Sequence, residues 1–304
     1  MHKTRYNVLH LDLSLSPVGP LLIKAGGFST DPSLPDMQFV RTFREGREAL
    51  YIPGSSLKGV FRSFIEKALR TINEANTWKR ACPTFETKNK ELEPNCVQRI
   101  RELANSDGKE NVEIKSYDVY RESCGVCRIF GNTLLKGRLA FTDMLSTNDI
   151  KTETRYGVAI SRLSHAVAQG PFEMEVAVSG SFEGKIIMEN YELWQLSLLA
   201  TAIESLNQGF LKVGFGKNRG LGQVNLKIKN VILEEIAPLK ADTTLRGLGD
   251  FVKDTEKKEY GFVEPFTLEN IPCPDKNEKF GFYQVRTFNP EEWGMISRKI
   301  IQEL

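Results

Sequence analysis

Four of the five cysteines in this chain lie close together in the sequence, between residues 82 and 127. Cys124 and Cys127 have the two-residue spacing of a thiolate knuckle, and they follow Cys82 and Cys96. Four thiolates can close a tetrahedral structural site for Zn²⁺, and such a site stabilises a segment too small to build its own core. A buried Cys-x-x-Cys with free thiols is the alternative. Cys273, between two prolines, is interpreted as unrelated.

A second set of chemically capable residues lies in segment 51–62, Tyr-Ile-Pro-Gly-Ser-Ser-Leu-Lys-Gly-Val-Phe-Arg. A Pro-Gly turn leads hydroxyl and basic side chains into the first turn of a helix, where unpaired N–H groups and the positive helix end favour a phosphate. The side chains that add donors are Ser55, Ser56, Lys58 and Arg62. The alternative is that a serine caps the helix and the bases lie on a solvated face.

Residues 213–223, Val-Gly-Phe-Gly-Lys-Asn-Arg-Gly-Leu-Gly-Gln, are called the Gly-rich loop here. Glycines let a backbone approach a ligand closely, and Lys217 and Arg219 lie between them. No Ser or Thr follows the lysine, and a strand follows instead of a helix, so the loop is neither a P-loop nor a dinucleotide fingerprint. A turn with two solubilising charges is the alternative.

The elements that must position these segments follow from hydrophobic periodicity. Alternating leucines predict a first strand over 9–15, and apolar residues at three- and four-residue intervals predict a helix over 57–72. Further strands are predicted over 138–144, 172–178 and 223–228, with a second helix over 193–206 that Gly209 ends. The order β-α-β-β-α-β predicts an α+β fold with a ferredoxin-like (RRM-like) core.

The predicted domain organisation adds three features to this core. Residues 1–234 form the main domain, and 76–137 are an inserted subdomain with a zinc knuckle, because this stretch is too long for a connection. Residues 235–304 form a C-terminal extension, richer in Pro, Lys and Glu, that packs on the core or on a neighbouring subunit.

The composition excludes a strong overall electrostatic field, because the chain has 41 basic and 39 acidic residues and a net charge of +2. Any polyanion site must therefore come from local clustering. The N-terminal segment has no apolar core of a signal peptide, and no window approaches the roughly 20 apolar residues of a membrane span. We expect a cytoplasmic protein without a membrane partner.

Together, Tyr-Ile-Pro-Gly-Ser-Ser-Leu-Lys-Gly, the later Cys-Gly-Val-Cys-Arg-Ile-Phe-Gly and the Gly-rich loop resemble the RAMP superfamily of CRISPR proteins in order and spacing. The resemblance covers about residues 6–233. Within the superfamily the chain most resembles the backbone subunits of type III effector complexes. The implied partners are guide (CRISPR) RNA, target RNA and other CRISPR effector subunits.

The resemblance also implies roles for particular residues. Guide phosphates would be held by Arg41, Ser55, Ser56, Lys58, Arg62, Lys217, Asn218 and Arg219. A thumb, a hairpin or loop that wedges between guide and target, matches 154–172. There Arg155 and Arg162 can meet phosphates, and His165 can stack against a displaced base. An ordinary surface loop is the alternative for this stretch.

Catalysis is implied through an aspartate that precedes an arginine, and Asp36 matches as Asp-x-x-x-Val-Arg, with Asp31 as the fallback. Such a carboxylate positions Mg²⁺ or another divalent cation for metal-dependent cleavage of target RNA. The alternatives are a non-catalytic scaffold subunit, a ribonuclease that processes guide precursors, and a ferredoxin-like domain that binds a small regulatory ligand. Only three histidines are available for the metal-independent chemistry of a processing enzyme.

Overall fold

A computed structural model describes residues 3–26, 33–44, 46–72, 77–85, 93–106, 114–147 and 150–303. The helices are α1 Gly54–Ile72, α2 Cys96–Ser106, α3 Ser116–Glu122, α4 Gly125–Phe130, α5 Leu193–Asn207, α6 Asp254–Tyr260 and α7 Pro290–Glu303. The strands are β1 Asn7–Pro17, β2 Arg41–Arg44, β3 Arg47–Ile52, β4 Leu139–Phe141, β5 Met144–Ser146, β6 Lys151–Ile160, β7 Val167–Ser179, β8 Phe182–Glu189, β9 Val224–Ile236, β10 Leu245–Arg246, β11 Thr267–Leu268, β12 Lys276–Phe280 and β13 Tyr283–Phe288.

A large antiparallel sheet is the centre of this α+β fold. Within the described residues it has nine strands in the order β12-β13-β9-β1-β8-β5-β3-β2, with β4 also paired to β8. The predicted first strand is confirmed as β1, whose Leu11 lies opposite Ile186 of β8 and Val231 of β9. Because side chains alternate along a strand, the leucines of β1 are buried while His10 and Asp12 lie on the other face.

Two long helices cover the buried face of the sheet. The predicted helices are confirmed as α1 and α5, which contact each other as well as β4 and β9 respectively. In α1 the buried positions include Leu57, Phe61, Ile65 and Leu69, the three- and four-residue spacing of one helix face. None of the described helices combines the length and the apolar character that a membrane-spanning segment needs.

The third strand of the predicted β-α-β-β-α-β core is not residues 172–178 in the structure. Residues 172–178 do form a strand, but they belong to β7, which pairs with β6 in a separate two-stranded hairpin. The strand next to β1 is β8, which the sequence analysis missed. Gly180, with φ of 103°, lies between β7 and β8 and lets the chain reverse there. The predicted strand 138–144 is likewise two short strands, β4 and β5.

The C-terminal part of the chain extends the same sheet. Strand β9 continues to Ile236, so the predicted boundary after residue 234 lies inside a strand. Strand β13 pairs with β9, and α7 contacts α5. At this junction the buried carboxylate of Glu235 lies 3.1 Å from Nη2 of Arg286 and 3.4 Å from Nε of Arg246. A buried charge needs such partners, so this network ties the C-terminal segment to β9.

Candidate nucleic-acid interface and metal centre

The four clustered cysteines converge in space. Their sulfur atoms all lie within 4.8 Å of one another, and Sγ of Cys82 is 3.7 Å from Sγ of Cys127. A zinc ion with Zn–S bonds of about 2.3 Å in a tetrahedron needs sulfurs about 3.8 Å apart. Cys96 starts α2, and Cys124 is the N-cap of α4, which contains Cys127. The quartet can therefore hold a metal ion such as zinc.

Hydrogen bonds within the quartet favour negative charge on Cys124, and hydrogen bonding to Cys124 in turn raises the pKa of Cys96 and Cys127. The backbone N–H of Cys124 donates to Sγ of Cys96 over 3.2 Å, and that of Cys82 donates to Sγ of Cys124 over 3.4 Å. Hydrogen bonds from the thiols of Cys127, Cys82 and Cys96 hold the pKa of Cys124 well below its ordinary value. Because the thiolate is the ligand form, this environment suits a bound cation. Cys273, as expected, is exposed and outside the quartet.

The start of α1 differs from the alternative in which a serine caps the helix. The helix begins at Gly54, whose N–H donates to Oδ1 of Asp143 over 2.8 Å. Ser55 and Ser56 therefore lie in the first turn, and the N–H of Ser56 donates to the carbonyl of Pro53 over 2.9 Å. A Cβ at Gly54 would lie 2.3 Å from the carbonyl oxygen of Phe141, so only glycine lets the helix start this close to β4.

The two predicted bases of α1 have different surroundings. Nε of Arg62 donates to Oε1 of Glu66, one turn later, over 3.0 Å. Lys58 is half-buried, and Ser55 is exposed. A phosphate at the start of this helix would therefore meet Lys58 and the serines, whereas Arg62 is engaged within the helix.

The Gly-rich loop is held at its base and exposed at its tip. The N–H of Val213 donates to the carbonyl of Gly222 over 2.8 Å, and that of Phe215 donates to Leu22 over 2.8 Å. Gly214 and Gly222 have positive φ and face backbone oxygens that a Cβ would meet at 2.2 Å. The exposed tip is a short 3₁₀ helix made of Lys217, Asn218 and Arg219.

A second lysine lies near this tip. Burial and the charge of Lys67 on α1 lower the pKa of Lys217 below its ordinary value. Lys67 follows Lys58 by about 14 Å along α1 at the normal helical rise. The tip of the Gly-rich loop is therefore within electrostatic range of Lys67 on α1, the helix that begins with the other predicted phosphate-binding segment.

The residues predicted as a thumb lie in the β6–β7 hairpin. Residues 151–171, which are β6, the tip and the first part of β7, are exposed at nearly every side chain, and Leu163 at the tip is 97% exposed. Arg162 and His165 are at the tip, where His165 has φ of 56°, whereas Arg155 pairs with Glu153 over 2.6 Å. The part of this strand pair near the tip has both faces in solvent and gains little from packing against this chain, whereas Met174, Val176 and Ala177 of β7 are buried.

Asp36 lies at the base of this hairpin. Its Oδ2 accepts the N–H of Glu173 over 2.8 Å, and the neighbouring Met37 exchanges backbone hydrogen bonds of 2.9 Å with Glu173 and Glu175 of β7. Asp36 itself is exposed. The structure thus brings together two features that the sequence places far apart, the catalytic candidate and the predicted thumb. The fallback residue, Asp31, lies outside the described residues.

The predicted RNA-binding residue Arg41 is paired with two carboxylates. Its guanidinium donates to Glu175 and, over 3.1 Å, to Glu48. It borders a groove of about 1270 Å³ on the sheet face away from α1 and α5. Sequence reasoning missed the other basic residues along this groove, which are Arg44, Arg47, Lys185 and Lys229. The basic run around Phe43 was the signal available for the first two.

These features define a class of protein: an antiparallel α+β protein with exposed basic segments suited to a polyanion and a cysteine quartet suited to a metal. A family model, the RAMP superfamily, matches residues 14–225, which is more than half of the 304 residues. The chain therefore belongs to the RAMP superfamily, a CRISPR-associated family, and this membership indicates an RNA-binding protein. A search of curated proteins found no match.

Proposed function

We propose that this chain is a guide-RNA-binding backbone subunit of a type III CRISPR effector complex, presenting guide RNA to target RNA beside other subunits. The proposal includes a ferredoxin-like core. Its support is the spatial order β9-β1-β8-β4 with all neighbours antiparallel, combined with the chain order β1, α1, β4, β8, α5, β9.

The observation that carries the proposal is the exposed tip of the Gly-rich loop. Lys217, Asn218 and Arg219 project from a loop whose base is fixed by backbone hydrogen bonds. Such groups contact phosphates and carry no base information, which suits a subunit that must accept any guide sequence. We assign the quartet a structural Zn²⁺, which would join Cys82 and the start of α2 to α4, a helix that contacts α1.

We further propose that target RNA is cleaved at the base of the β6–β7 hairpin. A nucleotide displaced by the hairpin would lie next to Asp36, whose carboxylate is already oriented by the N–H of Glu173. The target 2′-hydroxyl gives up its proton to solvent and attacks the adjacent phosphorus, the P–O5′ bond breaks and O5′ takes a proton from solvent, which leaves a 2′,3′-cyclic phosphate and a 5′-hydroxyl. A divalent cation such as Mg²⁺, when bound, supplies positive charge for the leaving oxygen.

The same hydrogen bond from Glu173 would also suit an aspartate that only fixes the segment to β7, which is the scaffold alternative. The test uses the complex assembled on a guide, with Asp36→Ala, Asp31→Ala and the exposed Asp254→Ala as a matched control. We expect Asp36→Ala to abolish cleavage at this subunit's position while guide content stays constant. If neither Asp36→Ala nor Asp31→Ala changes cleavage, the scaffold alternative is favoured. If only Asp31→Ala abolishes cleavage, Asp31 is the catalytic aspartate.

Binding to RNA is tested separately from cleavage. The chain is co-expressed with its complex and purified, and the bound nucleic acid is measured by absorbance ratio and by length on a denaturing gel. We expect RNA of defined length that dissociates at high salt. A complex that assembles without RNA would contradict the proposal.

A further inference from the structure

Phe210 is an exposed aromatic residue that folding of this chain does not explain. It follows α5 directly and is 76% exposed. The C-terminus of α5 is a Schellman motif: the N–H of Phe210 donates to the carbonyl of Ser205 over 3.0 Å, and that of Gly209, with φ of 80°, donates to Leu206 over 3.1 Å. Phe210 therefore occupies the C″ position of this motif.

An apolar residue at C″ ordinarily packs back onto the residues at C3 and C4 of the helix. In α5 these positions are Ser205 and Glu204, both polar, and the carboxylate of Glu204 accepts a hydrogen bond from Gln208 over 2.8 Å. The usual hydrophobic contact thus has no apolar surface to use. The capping hydrogen bonds need only the backbone of Phe210, so its ring is available to a partner.

Basic residues follow Phe210 closely in the chain. Lys212 follows two residues later, within about 7 Å of chain, and its Nζ donates to the carbonyl of Lys217 over 3.0 Å. Val213, next along the chain, is hydrogen-bonded to Gly222 at the base of the Gly-rich loop. Phe210 thus lies three residues before the Gly-rich loop, whose exposed tip carries Lys217 and Arg219.

We propose that Phe210 forms a nucleobase subsite, on which one base of the RNA strand stacks while the Gly-rich loop holds neighbouring phosphates. This inference rests on the proposed function and adds to it a contact with a base. An aromatic face beside cations is the arrangement by which proteins bind single-stranded nucleic acid without sequence preference, because every base has a stacking face. A stacked base also fixes the register of the strand, which charges alone leave free to slide.

The test compares the wild-type chain, Phe210→Ala, Phe210→Trp and Phe280→Ala, each assembled with its complex on a guide RNA that carries 5-bromouridine. Phe280 on β12 is the matched control, because it is 77% exposed and lies outside the Gly-rich loop. We expect an ultraviolet crosslink from the guide to Phe210. RNA affinity should fall about tenfold in Phe210→Ala, as stacking contributions of this kind indicate, and stay at the wild-type value in Phe280→Ala and Phe210→Trp.

The salt slope of binding separates this subsite from the phosphate contacts. Phe210→Ala removes no charge, so its slope should equal that of the wild type, whereas Lys217→Glu should reduce the slope. The subsite is overturned, and the proposed function kept, if Phe210→Ala binds RNA like the wild type while Lys217→Glu binds weakly. A crosslink from Phe210 to another protein subunit instead of RNA also overturns it. A wild-type complex without RNA overturns both.

Discussion

Replacing Cys82 by serine tests the metal centre, with Cys273→Ser as the matched control. Cys82 is the half-buried member of the quartet, so its replacement disturbs the core least, whereas Cys273 is exposed and outside the quartet. We expect about one zinc per chain in the wild type and in Cys273→Ser, and almost none in Cys82→Ser, measured by elemental mass spectrometry. Three thiolates and a serine hydroxyl no longer form a closed thiolate site.

The size of the accompanying loss of stability follows from mass action. An ion at a free concentration about a thousand times its Kd stabilises the folded chain by about 4 kcal/mol. At about 2 °C per kcal/mol for a chain of this size, the melting temperature of Cys82→Ser should fall by about 8 °C. If Cys82→Ser and Cys273→Ser retain the same metal content, the sulfur-to-sulfur distance of 3.7 Å does not mark a metal site. Metal loss without a fall in melting temperature would contradict the structural role.

Four further substitutions test the fold around the proposed interface, each by urea unfolding or RNA binding. Gly54→Ala should destabilise by about 1–3 kcal/mol because its Cβ would meet Phe141 at 2.3 Å, whereas Gly59→Ala on the same helix, with open space around it, should stabilise by about 1 kcal/mol. Glu235→Ala should cost about 3–5 kcal/mol by leaving Arg286 buried and unpaired, and an unchanged urea midpoint would contradict the role given to this network. Lys217→Glu should weaken RNA binding without changing the urea midpoint.

The elements that could be predicted from sequence are those whose apolar residues recur at a regular interval on one face. The leucines of β1 and the apolar stripe of α1 each bury one side of their element, so periodicity alone identifies them. Strand β8 alternates as well, but Gly184 interrupts its apolar set, and it follows β7 after a short turn. Periodicity also cannot assign a strand to a sheet, so it predicts a strand over 172–178 without indicating that this strand pairs with β6 outside the main sheet.

The same distinction applies to the candidate sites: local spacing could be predicted from the sequence, and the packing of distant segments could not. Spacing identified Cys124 and Cys127, but the convergence of Cys82 and Cys96 on them depends on how α2 and α4 pack. Asp143 at the start of α1 comes from a distant turn between β4 and β5, and no local pattern indicates it. Phe210 carries a local signal, an aromatic residue at C″ of a helix whose C3 and C4 residues, Ser205 and Glu204, are polar.

The salt dependence of guide binding tests most directly whether this chain holds RNA through its backbone. Binding of two guide-length RNAs of unrelated sequence is measured at several salt concentrations for the wild type, Lys217→Glu and Arg219→Glu. We expect both RNAs to bind with equal affinity, and we expect each substitution to reduce the slope of log K against log salt by about 0.7. Strong sequence preference, or a slope unchanged in both variants, would contradict phosphate binding by the Gly-rich loop.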